Sequence, residues 1–408
     1  MTEKIGKKDR PIFVFVHGFW GSTLEAEAPR SKRLWFPSLA SLLLSRDRTN
    51  LASPITWSKT CSETGIPLQD KGAIQASEVF FTYGKLIKFM DRVESDSPTE
   101  VHRFVWDWRR TFEESSARLE TFLTSLNLGG DRKVVLVSHS TGSTITWPVL
   151  NRHPLWFNTW VTVGGALGSS NLTLGMLENG WRAGPLTLLD PETMFTHASM
   201  YCFYCDIAGG EVTDCPDGVH YHVKSKEEVD IDLFDIDQWE KRNMGLYAVR
   251  KKQGTSVSPA ERQHLENCLL AAKRFRNENF VRRSGVKSLT DTTDPRFLAE
   301  PLGSYDHLRI ICYGSDDHST HKGFGFDDES GVINTLEISH HSGDGTVRSD
   351  GWKFIRGGLK HEVTQTSSQH VGLCDDESLH TLICQLLGID DALSSPPTMW
   401  SKLARLFG

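Results

Sequence analysis

The feature that most constrains the fold of this chain is a set of short, largely apolar runs. Pro11 to Val16 is the first, and Gly18 ends it. Val101 to Trp106, Val134 to Val137, Trp160 to Val163 and Leu308 to Cys312 follow at intervals. A strand with one face in water alternates apolar and polar residues. A strand apolar at every position is buried on both faces, as in a parallel sheet. Helical patterns lie between the runs. Ser116 to Leu126 puts Leu119, Phe122, Leu123 and Leu126 on one face. Ser143 to Asn151 continues as a helix directly after the third run, with Pro148 the one residue out of pattern. Strands alternating with helices imply right-handed crossovers and a mostly parallel sheet with helices on both faces.

Composition removes several function classes. The 408 residues are 38% hydrophobic and 24% charged, which is ordinary for a globular enzyme-sized chain and not for a disordered one. With 45 Lys+Arg against 52 Asp+Glu the net charge is -7, so nucleic acid is not an expected partner. No apolar run approaches the roughly 18 residues of a membrane span. Met1 to Lys4 lead into no apolar segment of the kind a signal peptide needs, which makes a cytoplasmic location the expectation. Eight scattered cysteines then read as reduced thiols, and the sequon Asn171-Leu172-Thr173 as unused. Residues 171–257 break the strand–helix rhythm and contain few clean strands. They read as a cap or lid inserted into a core of residues 1–170 and 258–390, with 391–408 a tail behind a hinge at Ser394 to Pro397. Ser258-Pro259-Ala260-Glu261 has the form of a capping box, and Leu265, Cys268, Leu269 and Ala272 form the buried stripe of the helix it opens. The last helix is expected from Asp376 to Leu387, stopped by Gly388.

The chemistry centres on Val134 to Gly142. A nucleophile elbow needs a strand, a sharp turn and a helix, with small residues two before and two after the nucleophile so that strand and helix pass closely. Here Ser138 and Gly142 flank Ser140, giving S-x-S-x-G in place of G-x-S-x-G. A serine hydroxyl is a weak nucleophile and needs a base oriented by an acid. In this arrangement the acid and then the histidine follow the serine in the chain. Asp344, in Ser342 to Val347, and the pair Asp316 and Asp317, just after a strand, compete for the acid. His370 lies between the last strand and the last helix and is the expected base; His361 and His380 are alternatives. The turn His17 to Gly21 follows the first strand, where one oxyanion donor is supplied, and the residue after the nucleophile supplies the other. These are Phe19 and Thr141.

Seven blocks then match in order. They are Val16 to Ala26; Trp106 to Arg110; the elbow; Val163 to Ala166 with Gly168 and Ser169; Asp232 to Asp235 with Trp239; Gly343 to Val347; and His370 to Leu373. Together they make the chain resemble the lecithin:cholesterol acyltransferase family of α/β-hydrolases, which includes related phospholipases, across residues 11 to 387. Where the family has Pro-Gly in the first block, His17 precedes Gly18 here. The resemblance implies an α/β-hydrolase fold, Ser140 as nucleophile, His370 as base, Asp344 as acid and Phe19 as an oxyanion donor. It implies acyl transfer from a lipid or other acyl ester to water or to an alcohol, with no cofactor.

Two weaker features are weighed separately. Cys202, Cys205, Cys215, His220 and His222 fall close together, but with a single C-x2-C pair they read as buried thiols and no metal is expected. Met399 to Phe407 is amphipathic; it is expected to dock on the core, with contact to a membrane surface as the alternative. The rival functions are a small-ester carboxylesterase and an inactive α/β-hydrolase fold used for binding.

Overall fold

The apolar runs assemble into one sheet. In the computed structural model the described residues are 10–26, 32–35, 51–53, 55, 74–79, 83–128, 132–168, 172–183, 186–204, 219–222, 231–279, 307–321, 323–326, 333–334, 340–353 and 359–394. The strands are β1 (Ile12–Val16), β2 (Glu100–Phe104), β3 (Val134–His139), β4 (Thr159–Val163), β5 (Arg309–Gly314) and β6 (Glu362–Gln365). Their order is β6-β5-β4-β3-β1-β2, and every pairing is parallel. Period-two alternation sorts the side chains. Ile12, Val14, Val16, Leu136, Trp160 and Ile310 face one core; Phe13, Phe15, Val135, Val137, Val161 and Ile311 face the other. That double burial is why β1 and the first four residues of β3 carry no polar residue, while β2, at one edge of the sheet, admits His102 and Arg103.

Two differences from the sequence expectation have local causes. The second strand ends at Phe104 and not at Trp106, because the Trp106 amide turns to donate to His17 Nε2 at 3.3 Å. Strand β6 has no apolar run. It is the other edge of the sheet, and Glu362, Val363 and Gln365 are exposed.

Helices α1 (Gly84–Asp96), α2 (Phe112–Ser125), α3 (Thr141–Arg152), α4 (Pro259–Asn279) and α5 (Glu377–Leu387) cover the sheet. Leu86, Phe89 and Met90 of α1 and Leu379 and Ile383 of α5 belong to one core, and Leu119, Ile145 and Leu265 of α2, α3 and α4 to the other. Helix α2 starts four residues earlier than its apolar pattern because Thr111 caps it, accepting from the Glu114 amide at 3.2 Å. The capping box before α4 is present in both directions: Ser258 N–H donates to Glu261 at 2.8 Å, and Glu261 N–H donates to Ser258 Oγ at 3.3 Å. Asp376 caps α5, and Gly388, at φ 73°, ends it. Pro148 stands inside α3.

Between β4 and α4 the chain folds into short helices: Leu172–Asn179, Pro191–Phe195, Ile236–Lys241 and Leu246–Lys252. A small antiparallel pair joins Trp181–Ala183 to Leu186–Leu189. Asp190 and Asp235 start two of these helices by accepting from the Thr193 and Asp237 amides. Among the described residues no helix is long and apolar enough to cross a membrane. A parallel sheet wrapped on both faces, with strand β3 turning sharply at Ser140 into α3, is the α/β-hydrolase fold.

Three buried histidines tie distant segments together as neutral rings. His17 donates from Nδ1 to Gly18 O at 2.7 Å, His197 from Nε2 to Leu51 O at 3.0 Å, and His264 from Nε2 to Phe195 O at 3.3 Å. Burial pushes His17 and His264 down to about 4 and His197 down to about 3. The unfolded chain takes up protons at these rings as pH falls below about 6.5, while the folded chain does not until about 4. Stability is therefore complete above pH 6.5 and declines between 6.5 and 4, by up to about 3 kcal/mol per ring. The urea midpoint should fall between pH 7 and pH 4.5, and His264→Gln should flatten the decline by about one proton. An unchanged midpoint would contradict neutral burial.

Candidate active site

The site sits where the sheet order reverses. Strand β1 lies beside β3, with β2 on its other side. Crevices beyond the carboxyl ends of strands at such a switch point are where open α/β sheets bind ligands. Val16 pairs with Ser138, so the turn after β1 and the turn after β3 emerge side by side.

Ser140 holds φ 53° and ψ -125°, a conformation that costs a non-glycine residue roughly 1–3 kcal/mol. Its neighbours on both sides impose it. Ser140 N–H donates to Val163 O at 2.9 Å, extending the β3–β4 ladder by one residue. Ser140 O accepts from Ser143 N at 3.0 Å, in the first turn of α3, and from Ala166 N at 3.1 Å, in the turn after β4. Helix α3 then leaves so close to β1 that a Cβ at Gly142 would lie 2.5 Å from Val16 O and 2.6 Å from His17 O.

Ser138, where the pattern departs from glycine, has its own role. Its hydroxyl accepts from Trp160 Nε1 at 2.8 Å and bonds Ser143 Oγ at 2.9 Å, and Thr162 Oγ1 donates to Ser143 Oγ at 2.8 Å. The hydroxyl satisfies an indole N–H that would otherwise be buried unpaired.

The structure brings Ser140, His370 and Asp344 into one line. His370 Nε2 is 3.0 Å from Ser140 Oγ, and His370 Nδ1 is 2.7 Å from Asp344 Oδ2. With Nδ1–H donating to the carboxylate, Nε2 is left to accept the serine proton. Asp344 Oδ1 accepts from the amides of Thr346 at 2.9 Å and Val347 at 2.7 Å. Asp344 is fully buried, and Ser140 and His370 are each 7% exposed, so the line touches solvent only at its Ser140–His370 end. Asp316 is elsewhere: it accepts from Lys353 and Gln365. Asp317 is exposed. His361 bonds Leu359 O, while His380 donates to Cys374 O and stacks on Phe89 at 4.4 Å. None of these four joins the line.

Phe19 and Thr141 both border a cavity of about 330 Å³ that opens over Ser140 and His370. The turn bearing Phe19 is braced by the Trp106-to-Arg110 block. Trp106 Nε1 donates to His17 O at 3.1 Å, Trp108 Nε1 to Ser22 O at 3.3 Å, and Ser22 Oγ to Trp106 O at 2.8 Å. Behind it, Arg109 grips Asp107 with Nε at 2.9 Å and Nη2 at 2.6 Å, and that pair holds the Asp107 carboxyl down at about 2 against the cost of burial. Trp20 follows at φ 59° and stacks on Trp181 at 4.0 Å.

Three participants escaped the sequence reading. Tyr83 and His139 hydrogen-bond beside the line, Tyr83 Oη to His139 Nδ1 at 2.8 Å. Gly164, recognised earlier only as part of a glycine-rich turn, has φ 51°. A Cβ there would come within 2.9 Å of Asp344 Oδ2 and 3.0 Å of His370 Nδ1. The His370 ring and the Asp344 carboxylate pack directly on its Cα.

The cysteine cluster is not assembled among the described residues. Cys202 is buried, free, and pushed up to about 11 by burial. Cys205 and Cys215, and the side chains of His220 and His222, lie outside the described residues. So do Asn171 and the tail beyond Ser394.

No protein-family model matches the chain, and no curated protein matches it. Solved structures do match. A chain of the Tle4–Tli4 complex is 12% identical, covering 94% of this chain and 98% of its own, with a TM-score of 0.49. Bacillus licheniformis lipase BlEst2 in mature form is 10% identical, covering 94% of each chain, with a TM-score of 0.37. Polyneuridine aldehyde esterase is 10% identical, covering 93% of this chain and 98% of its own, with a TM-score of 0.33. At such identities and scores the likeness adds nothing to the fold assignment, which rests on the sheet and the elbow.

The packing on Gly164 has a direct consequence. Gly164→Ala should fold with a slightly lowered Tm but spread the imidazole and carboxylate apart. Reaction of Ser140 with a fluorophosphonate should slow at least ~10-fold. Unchanged labelling would show that the pair tolerates displacement.

Proposed function

We propose that the protein is a serine-dependent acyl-ester hydrolase or O-acyltransferase of lipid esters, related to the lecithin:cholesterol acyltransferase family. The observation that carries this reading is the hydrogen-bonded line Ser140–His370–Asp344 opening onto an aromatic cavity. In the proposed reaction, Ser140 Oγ attacks the ester carbonyl carbon while His370 Nε2 takes its proton. Asp344 holds the imidazole by Nδ1 and stabilises the imidazolium. The backbone N–H groups of Phe19 and Thr141 receive the oxyanion. Collapse expels the alcohol, protonated by His370, and leaves an acyl-Ser140 ester. Water or a second alcohol, deprotonated by His370, then releases the acyl group as acid or new ester.

The lipid part of the reading rests on the cavity wall. Phe19, Trp20, Trp35, Leu172, Met176, Trp181 and Phe203 border it with Ser140. Such a surface rewards a hydrocarbon chain and offers little to a small polar acyl group. Leu172, Met176, Trp181 and Phe203 come from the segment between β4 and α4, which supports residues 171–257 as a cap over the acyl site.

Ser140→Ala should lower ester turnover at least ~10³-fold. Asp344→Asn should lose at least ~10²-fold, while Asp316→Asn stays within about threefold of wild type. Near-native turnover of the Ser140 variant would move the nucleophile elsewhere, and the reverse order of the two aspartates would reverse the choice of acid.

The cavity also sets a chain-length profile. A water-sized group occupies roughly 30 Å³, so about 330 Å³ seats on the order of ten methylene-sized groups. Each buried methylene contributes about 0.8 kcal/mol. kcat/KM on p-nitrophenyl esters should rise about three- to fourfold per methylene from acetate and level off near decanoate. A maximum at acetate would favour a small-ester carboxylesterase.

A further inference from the structure

We propose that Tyr83 and His139 are positioning residues, forming a buried hydrogen-bond chain from the Gly18 amide to the His370 carbonyl that locks the turn after β1 to the loop carrying the base. The inference rests on the reading of Ser140 as nucleophile and His370 as base.

The direction of every bond in the chain follows from its two ends. At one end the Gly18 N–H, which can only donate, meets Tyr83 Oη at 2.9 Å. At the other end His370 O, which can only accept, lies 3.1 Å from His139 Nε2. Nε2 therefore carries the hydrogen. Burial, and the neighbouring His370 ring at 4.7 Å, push His139 well below the ordinary histidine range, so the ring is neutral and Nδ1 is bare. The Tyr83 hydroxyl, already accepting from Gly18, donates its one hydrogen to that nitrogen at 2.8 Å. Tyr83 and His139 are buried, and their polar atoms are committed to the chain.

The chain completes a clamp on the base. The His370 N–H donates to Asp344 O at 2.9 Å, and the His370 carbonyl accepts from His139. With both backbone groups held, the imidazole can satisfy Asp344 at Nδ1 and Ser140 at Nε2 from one backbone position. The other end of the chain holds Gly18, beside the proposed oxyanion donor Phe19. Tyr83 reaches both because it stands at the start of α1, its ring edge-on to Phe15 of β1 at 5.2 Å. The two loops that must be in register for acyl transfer, at 18–19 and at 370, are thus connected through a third element.

The test uses the full-length protein and a medium-chain p-nitrophenyl ester. Tyr83→Phe keeps the ring and removes the hydroxyl. It should lower kcat roughly 10- to 100-fold with KM within about threefold, the signature of lost transition-state alignment. His139→Gln, whose amide can still donate towards His370 O, should retain at least about fivefold more kcat than His139→Leu at comparable Tm. The Tyr83→Phe, His139→Leu double variant should be little worse than the poorer single variant, because both cut one chain. Tyr83→Phe with near-wild-type kcat, or equal losses in the Gln and Leu variants, would overturn the chain while Ser140→Ala remains inactive. Activity retained in Ser140→Ala would overturn the nucleophile reading itself, so the two failures are told apart on one substrate.

Discussion

The hydrogen bonds either side of Ser140 hold a serine in a backbone conformation that it would not adopt alone. Its amide belongs to the sheet, through Val163 O, and its carbonyl is shared by the helix, through Ser143, and the turn after β4, through Ala166. Neither element can relax without giving up a bond, so the strain persists and the hydroxyl is presented at the crevice. The close approach of α3 to β1 at Gly142 and the paired turns after β1 and β3 all follow from that junction.

Around the junction, the motif blocks act as braces. The tryptophans of the Trp106-to-Arg110 block hold the backbone of His17 and Ser22, and Asp107 and Arg109 anchor the block itself. Gly164 provides the floor on which His370 and Asp344 meet. The turn after β1, the Trp106-to-Arg110 block and Gly164 thus make contacts around one crevice. A block far from the nucleophile in sequence can matter through the loop it supports.

Much of this was legible in the residues. The apolar runs predicted five of the six strands, because burial on the sheet faces selects apolar residues at most strand positions. The strand pattern around His361 marks the edge strand β6, which carries no apolar run, but helix α1 went unread although Leu86, Phe89, Met90 and Val93 stand at helical spacing. That omission hid Tyr83. His139 was hidden differently, since its importance depends on what Nε2 and Nδ1 face. The choice between Asp344 and Asp316 was likewise open, because an aspartate beside a glycine after a strand reads the same whether it meets a histidine or a lysine.

Strands β1 to β5, helices α2 to α5 and the strand–turn–helix of the elbow were determined by the sequence itself, because burial periodicity and turn chemistry are local properties. Which carboxylate reaches His370, what replaces glycine at Ser138 and why, and how the turn at Gly18 is joined to the loop at His370 were decided only by the tertiary structure. Those are contacts between residues up to 231 positions apart. Their formation depends on hydrogen-bond directions and distances of a few ångströms that no single stretch of the chain contains.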